Sequence, residues 1–297
     1  MVLHRLHHGN QTRQKALPAF HAATSPAPPY FGDDPGVIRL RLAPLVCLLV
    51  ACAAPPPSVD KALPVAGEAF LLDGREAFLI LPHSILPDRP TPWVLYAPTL
   101  RGLPSSAETW LFQRLQASGI AIAGIDVGES YGSPAGCALY DRLYEHLVAD
   151  RGLAARPVVL GRSRGGLMTL AWAADRPDRV AGFAGIYPVC DLRSYPGLAV
   201  AAEAYGTTAA GLEARLLTCN PIDRLAGLAT ARVPFFAVHG DRDTVVPLAA
   251  NSGAMAERVR GLGGTVDLQV LPGRGHDMDL AFFENERLLA FVLRHAR

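Results

Sequence analysis

The chain has 297 residues, of which 50% are hydrophobic and 19% charged, with a formal net charge of +1. That length suits one large α/β domain or two small ones, and the near-neutral balance argues against a nucleic-acid surface, which needs clustered cations. HExxH, CxxC and Walker-type spacings are absent, so neither a metal nor another cofactor is expected.

Residues 1–36 are rich in His, Pro, Ala and Gln without apolar periodicity, and read as disordered or as a misassigned start. Arg39 and Arg41 then precede a brief apolar run, Leu42 to Ala51, closed by Cys52. A basic stretch, a short apolar stretch and a small residue before the cut form signal-peptide architecture over 37–52, and the run is too short for a comfortable membrane span. Its end, Leu49-Val50-Ala51-Cys52, resembles the lipobox of bacterial lipoproteins, which implies acylation at Cys52, export and anchoring to the cell envelope. Because such a signal normally starts early, translation is expected to begin near Val37. The alternative is a buried apolar element that happens to end in Cys. A Pro-rich tether is expected over 53–67.

From Glu68 onward the pattern is regular. Two apolar runs flank Asp73-Gly74, a hairpin signal. Short buried strands are predicted at 93–97, 120–125, 157–160, 180–187, 233–238 and 266–271. Helices are predicted at about 106–118, 138–150, 165–175, 248–262 and 280–295. Near-continuous apolar strands alternating with helices specify an α/β fold, a mostly parallel central sheet covered on both faces. The alternation lapses over 191–229, which reads as an insertion or small lid after the sixth strand. Cys190 and Cys219 either pair across it or are small buried thiols.

The strand at Pro157–Leu160 runs directly into Gly161-Arg162-Ser163-Arg164-Gly165-Gly166, where a helix opens. This is G-x-S-x-G in the strand–turn–helix setting that presents a nucleophilic serine, with glycine where the chain passes too close for a side chain. A serine needs a base, and the base an orienting carboxylate. Later strands end in His239-Gly240-Asp241-Arg242-Asp243-Thr244-Val245-Val246-Pro247 and in Gly273-Arg274-Gly275-His276, in the order acid then histidine.

With these segments, the chain from Glu68 to Arg297 resembles α/β-hydrolases of the dienelactone hydrolase and prolyl-oligopeptidase-like branch. The resemblance implies a triad of Ser163, His276 and Asp243, with Asp241 as the competing acid. It also implies an oxyanion hole from the Arg164 backbone N–H and a second donor at Thr99 or Leu100. Here Ala97-Pro98-Thr99-Leu100 replaces the family's more usual His-Gly, and Pro98 has no N–H to offer. The polar loop from Asp126 to Ser133 lies at a strand's carboxyl end, where α/β sites bind ligands, and is either a turn that satisfies its own backbone or a binding loop with Glu129 and Tyr131 as candidate substrate-binding residues; Arg162, which flanks the nucleophile, is a further candidate. An Arg at 164 is similar to the elbow of glucuronoyl esterases, and its side chain either meets an anionic oxygen or pairs with Glu129.

The resulting expectation is a serine esterase acting on small-molecule or carbohydrate esters through an acyl-enzyme. A prolyl-oligopeptidase-like peptidase, whose class usually carries a propeller for which this length leaves no room, and a non-catalytic binder on the same fold are the alternatives.

Overall fold

In the computed structural model, which describes residues 59–296, Asp73 and Gly74 form the two-residue turn between β1 (Glu68–Leu72) and β2 (Arg75–Ile80). Both have positive φ, 50° and 76°, as a hairpin turn matched to strand twist requires. The signal segment 37–52 with Cys52, the stretch 1–36 and the first part of the tether lie outside the described residues. The end of the tether differs from expectation. Lys61 Nζ donates to the carbonyls of Leu100 (3.2 Å) and Leu103 (3.3 Å), and Leu63 and Val65 pack against the core. Residues 61–65 therefore belong to the folded domain.

The alternating elements follow: β3 (Trp93–Ala97), α1 (Thr109–Ala117), β4 (Ala121–Ile125), α2 (Pro134–Glu145), β5 (Val158–Arg162), α3 (Gly165–Asp175) and β6 (Gly182–Ile186). The insertion then contributes α4 (Leu198–Ala204), α5 (Ala209–Glu213), α6 (Leu216–Cys219) and α7 (Ala226–Thr230). The chain ends with β7 (Phe235–Gly240), α8 (Ser252–Gly261), β8 (Val266–Leu271), α9 (Leu280–Phe283) and α10 (Glu286–His295). Two helices depart from the sequence reading. α2 begins earlier than expected because Ser133 caps it and Pro134 occupies its first turn. The single terminal helix is two, because Asn285 turns out of the helix to accept from the Leu288 N–H at 2.9 Å.

The eight strands run in the order β1-β2-β4-β3-β5-β6-β7-β8, antiparallel from β1 to β4 and parallel from there on, so the sheet is mostly parallel as expected. Side chains alternate between faces with period two. Trp93, Leu95 and Val159 join α2, α3 and α8 on one side, while Val94, Tyr96, Val158 and Leu160 join α1 and α10 on the other. β3 pairs with β4 on one edge and β5 on the other, so successive connections leave in opposite directions and open a crevice at the strands' carboxyl ends.

The insertion after β6 has its own cluster, in which Leu192, Ala201, Leu212 and Leu216 meet Leu167 of α3 and Val246. Cys190 and Cys219 are free thiols, not a disulfide. The start of the insertion hangs on Asn251, whose Oδ1 accepts from the Cys190 N–H (2.9 Å) and the Ser194 hydroxyl (3.0 Å) while its side chain is fully buried. Asn251→Ala leaves a buried amide without an acceptor and is expected to lower stability by about 1–3 kcal/mol, read as a lower urea midpoint with an unchanged m-value.

Candidate active site

Ser163 sits between β5 and α3 with φ 50°, in the left-handed region, which costs a non-glycine residue about 1–3 kcal/mol. Three backbone hydrogen bonds hold it there: its N–H donates to Ile186 O (3.0 Å), and its carbonyl accepts from Gly166 (2.9 Å) and Val189 (2.8 Å). The neighbouring glycines are required sterically. A Cβ on Gly165 would fall 2.2 Å from the Ala97 carbonyl oxygen, one on Gly166 2.5 Å from that of Val189, and one on Gly161 2.7 Å from the Gly166 Cα. α3 begins directly at the elbow with Arg164 at its N-cap, so the positive end of the helix dipole lies near the serine.

Ser163 Oγ lies 2.9 Å from His276 Nε2, and His276 Nδ1 lies 2.7 Å from Asp243 Oδ2. The other Asp243 oxygen accepts from the amides of Val245 (3.0 Å) and Val246 (2.7 Å). His239, fully buried, approaches the same carboxylate at 3.4 Å while bonding Val246 O and Ser252 Oγ. Burial pushes the Asp243 carboxyl up, but hydrogen bonds from His239, the Val246 amide and His276 outweigh it and hold the group down at about 2. Asp241, the competing acid, points elsewhere: its Oδ1 accepts from Gly273 N at 2.6 Å and braces the turn before His276.

A pocket of about 150 Å³ opens over Ser163 and His276, and Pro98, Leu103, Tyr187, Asp277 and Met278 help to line it. Thr99 and Leu100, the expected second oxyanion donors, are not among its lining residues. Thr99 is fully buried and its hydroxyl turns back to the Tyr96 carbonyl at 3.2 Å, leaving Pro98 and Leu103 facing the pocket. Arg162 does line the pocket, but Nη1 is committed to Glu108 at 2.7 Å, a carboxylate with no side-chain exposure. Arg164 pairs with Glu129 at 2.9 Å. Glu129 and Tyr131 line a different cavity of about 450 Å³, formed with Val200, Glu203 and Ala204 of α4. Among the described residues no group of three or more His, Cys, Asp or Glu side chains is placed to hold a metal.

Two residues of the site have no counterpart in the sequence reading. Glu108 is the acceptor hub beneath the elbow: Oε1 takes the Tyr96 hydroxyl and Arg162 (both 2.7 Å), and Oε2 takes the Ser105 N–H (2.7 Å) and hydroxyl (3.0 Å). The Ser105–Glu108 spacing is a capping box, a signal that foretells the local turn but not the buried partner. Tyr187, at the end of β6 with φ 34°, packs its ring on His276 with centroids 4.3 Å apart. Burial pushes its hydroxyl up to about 12, against the pull of the Arg162 guanidinium.

The family model described as the prolyl oligopeptidase family matches residues 143–297. A search of the curated proteins found no match. Solved structures with the same fold include a Mycobacterium tuberculosis puromycin-hydrolyzing peptidase, 19% identical with TM-score 0.59 over 77% of this chain and 39% of that one. Porphyromonas gingivalis dipeptidyl peptidase 4 is 16% identical, with TM-score 0.61 over 77% of this chain and 35% of that one. The chain thus spans little more than a third of the length of these peptidases. An S-formylglutathione hydrolase from Agrobacterium tumefaciens is 15% identical, TM-score 0.60, covering 77% of this chain and 93% of that one. Est1E from Butyrivibrio proteoclasticus is 17% identical, TM-score 0.58, with 78% and 99% covered.

The depressed Asp243 carboxyl makes stability depend on pH. Its folded value of about 2 lies below an unfolded value of about 3.9, which corresponds to stability on the order of 2 kcal/mol. That contribution is full above the unfolded value and is lost as pH falls through the folded one. Asp243→Asn is therefore expected to be less stable than the parent at pH 7, with the gap closing between about pH 4 and pH 2, as followed by urea unfolding at a series of pH values.

Proposed function

The chain belongs to the prolyl oligopeptidase family of serine hydrolases, and from that premise we propose that it cleaves carboxylic esters by acylation of Ser163. The observation that carries this reading is the continuous relay from Ser163 Oγ through His276 to Asp243, at 2.9 and 2.7 Å. His276 Nε2 takes the serine proton as Oγ attacks the ester carbonyl, and Asp243 balances the charge of the imidazolium. The oxyanion donor in this reading is the Arg164 backbone N–H, at the start of α3. His276 then returns its proton to the leaving alcohol, and a water activated by the same nitrogen releases the acid.

The size of the pocket suits a short acyl group. About 150 Å³ is the volume of an interior cavity that holds a molecule the size of benzene. Near-complete coverage of an S-formylglutathione hydrolase and of Est1E, at 93% and 99% of their lengths, agrees with this reading. Small-molecule or carbohydrate esters are the proposed substrates. Their hydrolysis is proposed to occur outside the cytoplasm, at a bacterial envelope, because the basic, apolar and small-residue order before Cys52 suits a lipid-anchored precursor.

Ser163→Ala is expected to lower turnover of short-chain p-nitrophenyl esters by about 10⁴-fold or more, and a fluorophosphonate probe is expected to label the parent at Ser163 and leave the variant unlabelled. Equal rates in both proteins would refute the reading. Incorporation of radiolabelled palmitate into the chain in bacterial cells, and its loss in Cys52→Ala, tests the anchor; an unlabelled parent would overturn it.

A further inference from the structure

Two hydrogen-bond donors of the pocket converge on the poorest acceptor in it. Arg162 Nη2 lies 3.0 Å from the Met278 sulfur, and the Tyr187 hydroxyl lies 4.0 Å from the same atom. A thioether is a weak acceptor. A guanidinium and a phenol in a partly desolvated pocket gain far more from a carbonyl or carboxylate oxygen.

The donors are rigid and the acceptor is not. Arg162 is held by Glu108 through Nη1 and lies over the Phe283 ring, 5.0 Å from its centroid. Tyr187 is wedged edge-on against Phe282 and Phe283, with centroids at 4.9 and 6.2 Å. Met278 stands two residues beyond His276, is 51% exposed, and has the most adaptable of apolar side chains. A built pair of donors therefore faces a side chain that can leave for solvent at little cost.

We propose that the Met278 sulfur occupies the place of a substrate oxygen, and that Arg162 and Tyr187 form a subsite for a carbonyl or carboxylate oxygen carried on the acyl group. This rests on the ester-hydrolase reading and adds the chemistry of the acyl group to it. Arg162, Ser163, Tyr187 and Met278 all line the same 150 Å³ pocket, so the recognised oxygen lies only a few bonds from the carbon that Ser163 attacks. Glu108 already balances the charge of Arg162, so the subsite suits a neutral carbonyl as well as a carboxylate.

Three phenyl esters of matched shape separate these cases: 4-oxopentanoate, hemisuccinate and 4-methylpentanoate. The first two carry an oxygen acceptor where the third carries methyl groups. In the parent, kcat/KM for at least one acceptor-bearing ester is expected to exceed that for 4-methylpentanoate by about tenfold or more, and the preferred one identifies carbonyl or carboxylate. Replacing Arg162 strands the buried Glu108, so Tyr187→Phe carries the test; there the ratio is expected to fall by about threefold or more, Arg162 keeping the remainder. Met278→Leu removes the sulfur and is expected to keep the preference. Equal kcat/KM for all three esters in the parent, or a ratio unmoved by Tyr187→Phe, would overturn the subsite while leaving the esterase intact. If none of the three is hydrolysed, the esterase reading is decided by the p-nitrophenyl esters alone. Calorimetric affinities of Ser163→Ala for the same esters then decide the subsite, with equal affinities counting against it.

Discussion

The Ala97 carbonyl oxygen lies where a side chain on Gly165 would begin, and this close approach of α3 to β3 is the constraint on which the rest of the molecule depends. It brings the first turn of α3 against the ends of β3 and β5, which forces the elbow between them to turn through the left-handed region at Ser163. The three backbone hydrogen bonds around Ser163, one within the first turn of α3 and two to β6 and the segment after it, anchor that conformation. Since β6 and β7 are hydrogen-bonded in turn, the same contacts set the distance from the serine to Asp243 at the end of β7. The strain is local, while the structure that sustains it spans the centre of the sheet.

Beneath the elbow lies a second requirement, a charge in a place without water. Glu108 has no exposed side-chain surface, and each of its oxygens accepts two hydrogen bonds. Such a group is tolerated only when fully partnered. The partners come from β3, from the loop before α1 and from the last residue of β5, so one carboxylate ties together the three segments that shape the pocket. Substituting Arg162 leaves the charge uncompensated, while substituting Tyr96 or Ser105 leaves one of its oxygens a donor short.

Much of this was legible in the residues. Ser163, Asp243 and His276 could be named because each sits at a strand end where chain geometry restricts what may stand beside it. Asp243 rather than Asp241 follows from spacing, and the structure gives the physical difference: one oxygen of Asp243 meets two amides and the other meets His276, while Asp241 faces Gly273. Glu108 was not legible as a counter-ion, because its partner Arg162 stands 54 residues away and nothing local encodes that pairing. Tyr187 read as the last residue of an apolar run, and only the meeting of β6 with the His276 loop makes it part of the site. Counting along the loop after β3 selects Thr99 and Leu100, but Pro98 and Leu103 are the residues of that loop that line the pocket. The break between α9 and α10 escaped for a related reason, since apolar spacing continues through Asn285 while the backbone does not.

The two guanidinium groups that flank the nucleophile each face a carboxylate, Arg162 with Glu108 and Arg164 with Glu129. Seen from a distance they are dipoles rather than charges, and the field of a dipole dies away faster than that of a lone ion. From these two pairs an approaching ester feels little pull until it is nearly in contact. They hold the nucleophile's surroundings in shape and add little to long-range steering, and salt changes that contribution hardly at all.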